Sequence, residues 1–261
     1  MISHKTSTFS IILISRHLLL GTGYGISTIK NQMGEESAST RDTIKKLLGI
    51  GRLFLLLTTS VNPAIGKDGG VHTATLDEED FSKASQGGWK EVFTDPGTAD
   101  WKEKWFLDGE IGKVSTSPEG MTLSAGPEFK NESHHMVLWT KQNFVGDLKI
   151  EFDFTRLDKE NRCVNILYIQ ATGSGKAEYH KDIAEWTHLR RIPSMRTYYA
   201  NMNVYHVSYA AFGESNNTNN SYIRGRRYLP DHGKLEGTEL KPDYFSESLF
   251  ATGVKHHMTF I

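Results

Sequence analysis

The clearest pattern in the chain is a strict alternation of apolar and polar residues over residues 147–155. Leu148, Ile150, Phe152 and Phe154 fall on one side of an extended strand, and polar residues fall on the other. This alternation predicts a β-strand with one face in the core. Similar runs occur at residues 120–124, 134–140, 164–171, 202–212 and 222–228, with glycine, asparagine or proline between them.

Many short strands separated by turn residues are typical of all-β folds. The pattern therefore predicts an antiparallel β-sandwich of the jelly-roll type. The 24 glycines suit many turns, and the 13 phenylalanines, ten tyrosines and five tryptophans suit strands. No repeat and no long helical pattern is visible, although residues 179–187 are compatible with one short helix.

The first part of the chain has a different pattern. Residues 41–66 contain basic residues, then a short apolar run, then small and polar residues, which is the order of a secretory signal peptide. A membrane anchor or an amphipathic helix is the alternative. We predict an N-terminal extension with signal peptide and linker over residues 1–76 and a jelly-roll domain over residues 77–261. A signal peptide implies a secreted or periplasmic protein.

Composition limits the classes of partner and cofactor. Thirty basic and 31 acidic residues leave a formal charge of −1, so no basic field is available to attract nucleic acid. The single cysteine, Cys163, excludes an intrachain disulfide and a cysteine-only zinc site. Side chains of the adjacent pairs His134–His135 and His256–His257 point to opposite faces of a strand. Each pair could give one ligand, but the sequence defines no metal site. It requires no cofactor, although it leaves the cofactor unknown, and it implies no protein partner.

One strand has the composition of a binding surface for acidic sugars. If the residues between them face inward, Tyr222, Arg224, Arg226 and Tyr228 project together from residues 222–228. Guanidinium groups bind carboxylates bidentately, and aromatic rings stack on sugar faces. A solvated edge strand with Arg–Asp pairs is the alternative, and the sequence leaves both open.

Two other strands contribute candidates. In residues 134–140, Met136 and Leu138 are expected to point into the core. His135 and Trp139 alternate with them and therefore lie on the opposite face of the strand. A ligand on that face would meet both side chains.

In residues 201–211, the parity is ambiguous. If Val204 faces the core, Tyr205 and Tyr209 face a groove and His206 is buried, and a shift of one residue reverses this. A lone strand histidine is more often a satisfied core residue than a catalyst.

Glycoside hydrolysis usually requires two carboxyl groups that flank the scissile bond. Glu151 and Asp153 resemble the Glu-x-Asp strand of laminarinase-like glycoside hydrolases, but Thr155 or Arg156 occupies the position of the last acid. The general acid is therefore absent, and Glu151 and Asp153 are expected to be structural or substrate-holding.

β-Elimination of uronate polymers requires groups that neutralise the carboxylate and a tyrosine or histidine that transfers a proton. We expect adjacent arginines to lower a tyrosine pKa from its usual ~10. The candidates for proton transfer are Tyr205 and His206. The candidates for substrate binding are His135, Trp139, Gln170, Arg224, Arg226 and Tyr228.

Five blocks in order carry a resemblance to a known family. Residues 134–140, 144–154, 166–173, 205–211 and 222–228 resemble a bacterial family catalogued as a domain of unknown function in the concanavalin A-like lectin/glucanase superfamily. The resemblance implies a β-sandwich jelly roll and a setting among enzymes that degrade pectin-like polysaccharides, without supplying a catalytic residue. Because family members continue past the equivalent of Ile261, we expect that the last strands are missing here.

These observations predict an exported carbohydrate-active protein that acts on a uronate-containing polysaccharide by β-elimination or glycosidic hydrolysis. A non-catalytic, lectin-like glycan-binding module is the main alternative, because it needs the same arginines and aromatic residues but no base. A structural envelope protein is the third interpretation.

Overall fold

The fold was obtained as a computed structural model. The structure describes residues 18–21, 27–32, 55–58, 75–160, 163–213, 221–245 and 250–261.

Strands are the commonest regular structure in the described part, and every strand pair in it is antiparallel. The prediction of an all-β chain is therefore confirmed at the level of fold class. The strands are β1 (Leu18–Gly21), β2 (Ser27–Gln32), β3 (Leu55–Thr58), β4 (Trp89–Asp95), β5 (Trp105–Asp108), β6 (Lys113–Ser117), β7 (Gly120–Ser124), β8 (Val137–Thr140), β9 (Leu148–Arg156), β10 (Cys163–Gly173), β11 (Met202–Gly213), β12 (Tyr222–Tyr228), β13 (Glu239–Phe245) and β14 (Lys255–Phe260).

Helices are few and short. The first, α1 (Thr75–Ser85), has Lys83 in its last turn, where a basic side chain complements the helix dipole. The others in the described ranges are α2 (Met195–Asn201) and the 3₁₀ helices Trp101–Glu103, Glu132–His134 and Ile183–Arg190. The last of these overlaps the helix expected over residues 179–187 but begins later, because Asp182 caps it at the Ala184 amide.

All six period-two runs contain strands at or near the predicted bounds. The pattern did not predict several other described strands, among them β4, β5, β6 and β13. β13 contains Pro242. Proline removes a backbone donor and is tolerated in a sheet only where no ladder bond is needed. β13 is the last strand of its sheet and satisfies that condition.

The strands form three sheets. β9 lies inside an eight-stranded sheet ordered β3-β14-β9-β1-β7-β6, in which β2 joins β9 to β4. A second sheet has the order β10-β11-β12-β13, and β5 pairs with β8.

The three strands nearest the N-terminus, β1, β2 and β3, belong to the eight-stranded sheet. Apart from β3, the predicted signal peptide over residues 41–66 lies outside the described residues. The signal peptide and the domain boundary at residue 76 stay predictions. Among the described helices, none combines the length and apolar character needed to cross a bilayer.

Two cores enclose the four-stranded sheet. The first lies between the two large sheets, where the ring centroids of Phe154 and Tyr209 are 5.0 Å apart. The second lies on the opposite face of β10, β11 and β12, where Tyr168 packs against Tyr198 of α2. Much of the four-stranded sheet is therefore buried on both faces.

A buried ion pair ties the second core to β5 and β8. Asp108 Oδ2 accepts hydrogen bonds from Arg190 Nε at 2.5 Å, Trp139 Nε1 at 2.6 Å and Tyr198 Oη at 3.1 Å. Arg190 also stacks on Trp186, with its guanidinium carbon 4.2 Å from the ring centroid. Burial raises the pKa of Asp108, and the opposing effect of Arg190 is smaller.

Candidate functional site

The face of β12 that points away from the first core carries the predicted binding residues. Ile223 packs into the first core, and its neighbours point the other way. In the register between β11 and β12, His206 lies opposite Arg226 and Ser208 lies opposite Arg224. We call the following six residues the β12 face: Tyr222, Arg224, Arg226, Tyr228, His206 and Ser208.

His206 lies near the centre of this face and is 3% exposed. Its Nδ1 is 3.2 Å from Tyr228 Oη, and its Nε2 is 3.2 Å from Ser208 Oγ. Burial lowers the pKa of His206 to about 3, and the charges of Arg226 and Arg224 act in the same direction. The imidazole is therefore neutral at physiological pH, with each ring nitrogen in a hydrogen bond.

One end of the face is covered. Tyr228 and Trp139 have no exposed surface, and Tyr168 packs between them with ring centroids 6.0 and 6.1 Å away. Trp139 lies on the face opposite Leu138, as predicted, but that face forms the second core. Neither ring is available to stack on a sugar unless the surrounding side chains move.

The arginines of the face are paired with carboxylates of β13. Arg224 donates from Nε and Nη2 to Asp243 Oδ2 at 2.9 and 2.7 Å. Arg226 Nη1 donates to Glu239 Oε1 at 2.7 Å. Burial tends to raise the pKa of Asp243, but the hydrogen bonds from Arg224 and Lys241 outweigh it and lower the pKa. These pairs occupy part of each guanidinium.

Each guanidinium nevertheless keeps unused donors. Arg224 Nη1 and the Nε and Nη2 atoms of Arg226 have no hydrogen-bond partner among the described residues. The side chains of Arg224 and Arg226 are 26% and 13% exposed, so solvent reaches both. Arg224 is the more exposed of the two, so its free donor is the more accessible to a further anion.

The other end of the face is open. The guanidinium carbon of Arg224 lies 4.7 Å from the centroid of the Tyr222 ring. Phe245 pairs with Tyr222 across the sheet, so both side chains lie on the same face, and Phe245 is 65% exposed. An exposed aromatic ring beside an arginine is suited to hold a sugar ring next to its carboxylate.

The arginines of the β12 face do act to lower the tyrosine pKa values, as expected, but burial outweighs them, so the expected net decrease is wrong. Burial raises the pKa of Tyr228, and the opposing charge of Arg226 does not compensate. Burial also raises the pKa of Tyr222 in spite of Arg224 and Arg226. Both phenols are protonated at physiological pH.

The two candidates for proton transfer lie on opposite faces of β11. Val204 and His206 face the second core, which is the first of the two alternatives that the sequence left open for this strand. Tyr205 packs against the first core, with the guanidinium carbon of Arg227 4.1 Å from its ring centroid. Tyr209 is buried in the first core and does not line a groove. The structure therefore brings His206, but not Tyr205, to the β12 face.

Among the described residues, no hydrogen bond or ion pair joins two further candidates, Gln170 and His135, to the arginines of the β12 face. Gln170 lies at an irregularity in the pairing of β10 with β11 and has a φ of 59°, a backbone conformation that glycine favours. The Nδ1 atom of His135 lies 3.2 Å from the carbonyl oxygen of Pro193.

The acidic pair of β9 lies beside basic side chains. Glu151 lies 3.1 Å from Lys149 Nζ, and Asp153 lies 2.9 Å from His257 Nδ1. These contacts support the structural interpretation of the pair. In the described part of the chain, no three histidine, cysteine, aspartate or glutamate side chains are grouped as metal ligands would be.

Sequence reasoning missed Phe245, Asp243 and Glu239 because it missed β13. Polar and aromatic residues lie on both sides of Pro242, and this run could have been recognised as an edge strand.

Comparison of the chain with protein-family models, curated proteins and solved structures finds no match.

Proposed function

We propose that this chain is an exported carbohydrate-active protein with a concanavalin A-like β-sandwich fold, and that it binds a uronate-containing polysaccharide on the β12 face. The observation that carries the proposal is the open end of that face. There, the solvent-accessible guanidinium of Arg224 keeps unused donors beside the rings of Tyr222 and Phe245. Guanidinium donors suit the carboxylate, and the exposed ring of Phe245 suits the apolar face of the sugar.

Binding is better supported than catalysis. The phenols of Tyr222 and Tyr228 have raised pKa values and stay protonated, and the imidazole of His206 has a lowered pKa, so none of the three is a ready base. Asp243 and Glu239 of β13 already partly neutralise the arginines. A carboxylate of the polysaccharide could replace either of them reversibly. A lectin-like module requires no base, so these features do not count against it.

The proposal is tested by isothermal titration calorimetry of the full chain with oligogalacturonate and with a neutral oligosaccharide of equal length. We expect binding of the acidic oligomer alone. Replacement Arg224→Met should weaken that binding roughly tenfold, because it removes charge-assisted hydrogen bonds. Arg191→Met is the matched control, since Arg191 is also exposed and paired with a carboxylate, Glu110. Equal affinity for the neutral oligomer, or an equal loss in both variants, would contradict the proposal.

β-Elimination is the second candidate, favoured by the contact between His206 Nδ1 and Tyr228 Oη beside Arg226. In this reaction, His206 takes the C5 proton of the uronate, the electron pair forms the C4–C5 double bond, and the C4–O4 bond breaks. The Tyr228 hydroxyl gives its proton to O4. The His206 proton then returns to Tyr228, which restores both groups. The cover over Tyr228 has to open for this step.

An ultraviolet-absorbing unsaturated product would establish elimination, and His206→Gln should abolish it. New reducing ends without ultraviolet absorbance would indicate hydrolysis instead. Hydrolysis has less support, because a general acid needs a raised pKa. The pKa of Asp243 and that of Glu239 are both lowered.

A further inference from the structure

A cleft beside β4 lies apart from the β12 face. Its volume is about 410 Å³, which is within the usual range for small-molecule sites. Among the described strands, β4 pairs only with β2. The cleft is lined by β4 and by residues from two other segments, Lys104 after the 3₁₀ helix Trp101–Glu103 and Lys141 after β8.

Two lysine ammonium groups are held in place at this cleft by backbone carbonyls. Lys104 Nζ donates to the carbonyl oxygen of Thr94 at 2.6 Å, and Lys141 Nζ donates to that of Lys102 at 2.5 Å. A neutral carbonyl positions an ammonium group without cancelling its charge. Each ammonium has three donors and uses one in these contacts, so two remain.

These charges differ from those on the β12 face. Arg224 and Arg226 are each paired with a carboxylate, whereas neither Lys104 nor Lys141 forms an ion pair within the described ranges. Two like charges that share a cleft favour an anion between them. Glu103 also lines the cleft, so two positive charges and one negative charge leave a net charge of +1. That balance suits a single carboxylate better than a polyanion.

The remaining lining suits a sugar ring. Gln142 Nε2 donates to the carbonyl oxygen of Val92 at 3.0 Å, which leaves the amide oxygen of Gln142 as an acceptor for a hydroxyl. Thr94 Oγ1 is buried and has no hydrogen-bond partner in the part of the chain that the structure describes. Val92 and Phe93 provide an apolar wall.

We infer that the β4 cleft binds one carboxylate-bearing sugar unit, with Lys104 and Lys141 as the groups that contact its carboxylate. The choice of a hexuronate rests on the proposed function, while the cleft is a separate site. The inference adds a second contact point for an acidic polysaccharide on the same protein.

Two-dimensional ¹H–¹⁵N NMR of the full chain tests the inference, with galacturonate and neutral galactose as the probes. We expect the backbone amide signals of Thr94 and Gln142 to shift saturably with galacturonate and not with galactose. The double variant Lys104→Met, Lys141→Met should weaken this binding roughly tenfold or more, because two charge-assisted contacts are lost. Lys90→Met, an exposed lysine of β4 outside the cleft, should leave it unchanged.

The same spectra separate this inference from the proposed function. Signals of Ser208 and Tyr222 report on the β12 face, and signals of Thr94 and Gln142 report on the cleft. Shifts confined to the β12 face would overturn the cleft and leave the proposed function standing. Shifts confined to the cleft would support the inference and count against the β12 face. Equal shifts with galactose, or unchanged affinity in the double variant, would overturn the cleft site.

Discussion

Protonation of His206 couples the stability of the fold to pH. In the folded chain burial holds the pKa of His206 at about 3, against 6.5 for an ordinary histidine. Below pH 6.5, the unfolded chain therefore takes up a proton that the folded chain refuses. The stabilising contribution is complete above pH 6.5 and is lost as the pH falls toward 3.

The slope of this effect is about 1.4 kcal/mol per pH unit where only the unfolded chain is protonated. Between pH 6.5 and 4.5, the loss amounts to roughly 2–3 kcal/mol, a large share of the 5–15 kcal/mol typical of a domain. His206→Gln removes the titrating group and can keep one hydrogen bond to Tyr228 or Ser208. The variant should be less stable at pH 7, but its stability should fall less steeply with pH.

Urea denaturation of both proteins at several pH values between 7 and 4.5, followed by tryptophan fluorescence, measures the two slopes. Carboxylates titrate equally in both proteins, so the difference in slope isolates His206. His188→Gln, which replaces an exposed histidine, is the control and should follow the wild-type slope. Parallel profiles for wild type and His206→Gln would refute the reasoning.

Two further predictions concern the buried ion pair of Asp108 with Arg190 and the role of Tyr205, the candidate for proton transfer that lies against the first core. Arg190→Met should lower the free energy of unfolding by about 3–5 kcal/mol at pH 7, because it leaves the Asp108 carboxylate buried without its cation. Chemical denaturation measures this, and a loss below about 1 kcal/mol would contradict the assigned role. Tyr205→Phe should leave the affinity for oligogalacturonate within about twofold, because its ring lies against the first core. A tenfold loss by isothermal titration would place Tyr205 in the site after all.

Six of the fourteen described strands were predictable because their signal is local. In β9, the alternation of apolar and polar residues directly reports which side chains point to the first core. β13 escaped the pattern because Pro242 is compatible with a strand only at a sheet edge, and edge position is a property of the assembled sheet.

The sequence could predict which side chains of the candidate site share a face of a strand, but not whether that face is exposed to solvent. Alternation alone places Arg224 and Arg226 on one side of β12, and the structure has them there. Alternation cannot say whether that side faces solvent. Trp139 and Tyr228 are buried because the segment over residues 183–201 packs on this face.

The sequence by itself determined the β class, the approximate bounds of six of the fourteen described strands and the set of arginines and aromatic residues on one face of β12, because these depend on near neighbours along the chain. Only the tertiary structure decided which of those side chains remain accessible, which carboxylates pair with the arginines and in which direction each pKa moves. Burial and charge pairing depend on residues that are distant in sequence, such as Asp243 beside Arg224 and Tyr168 beside His206.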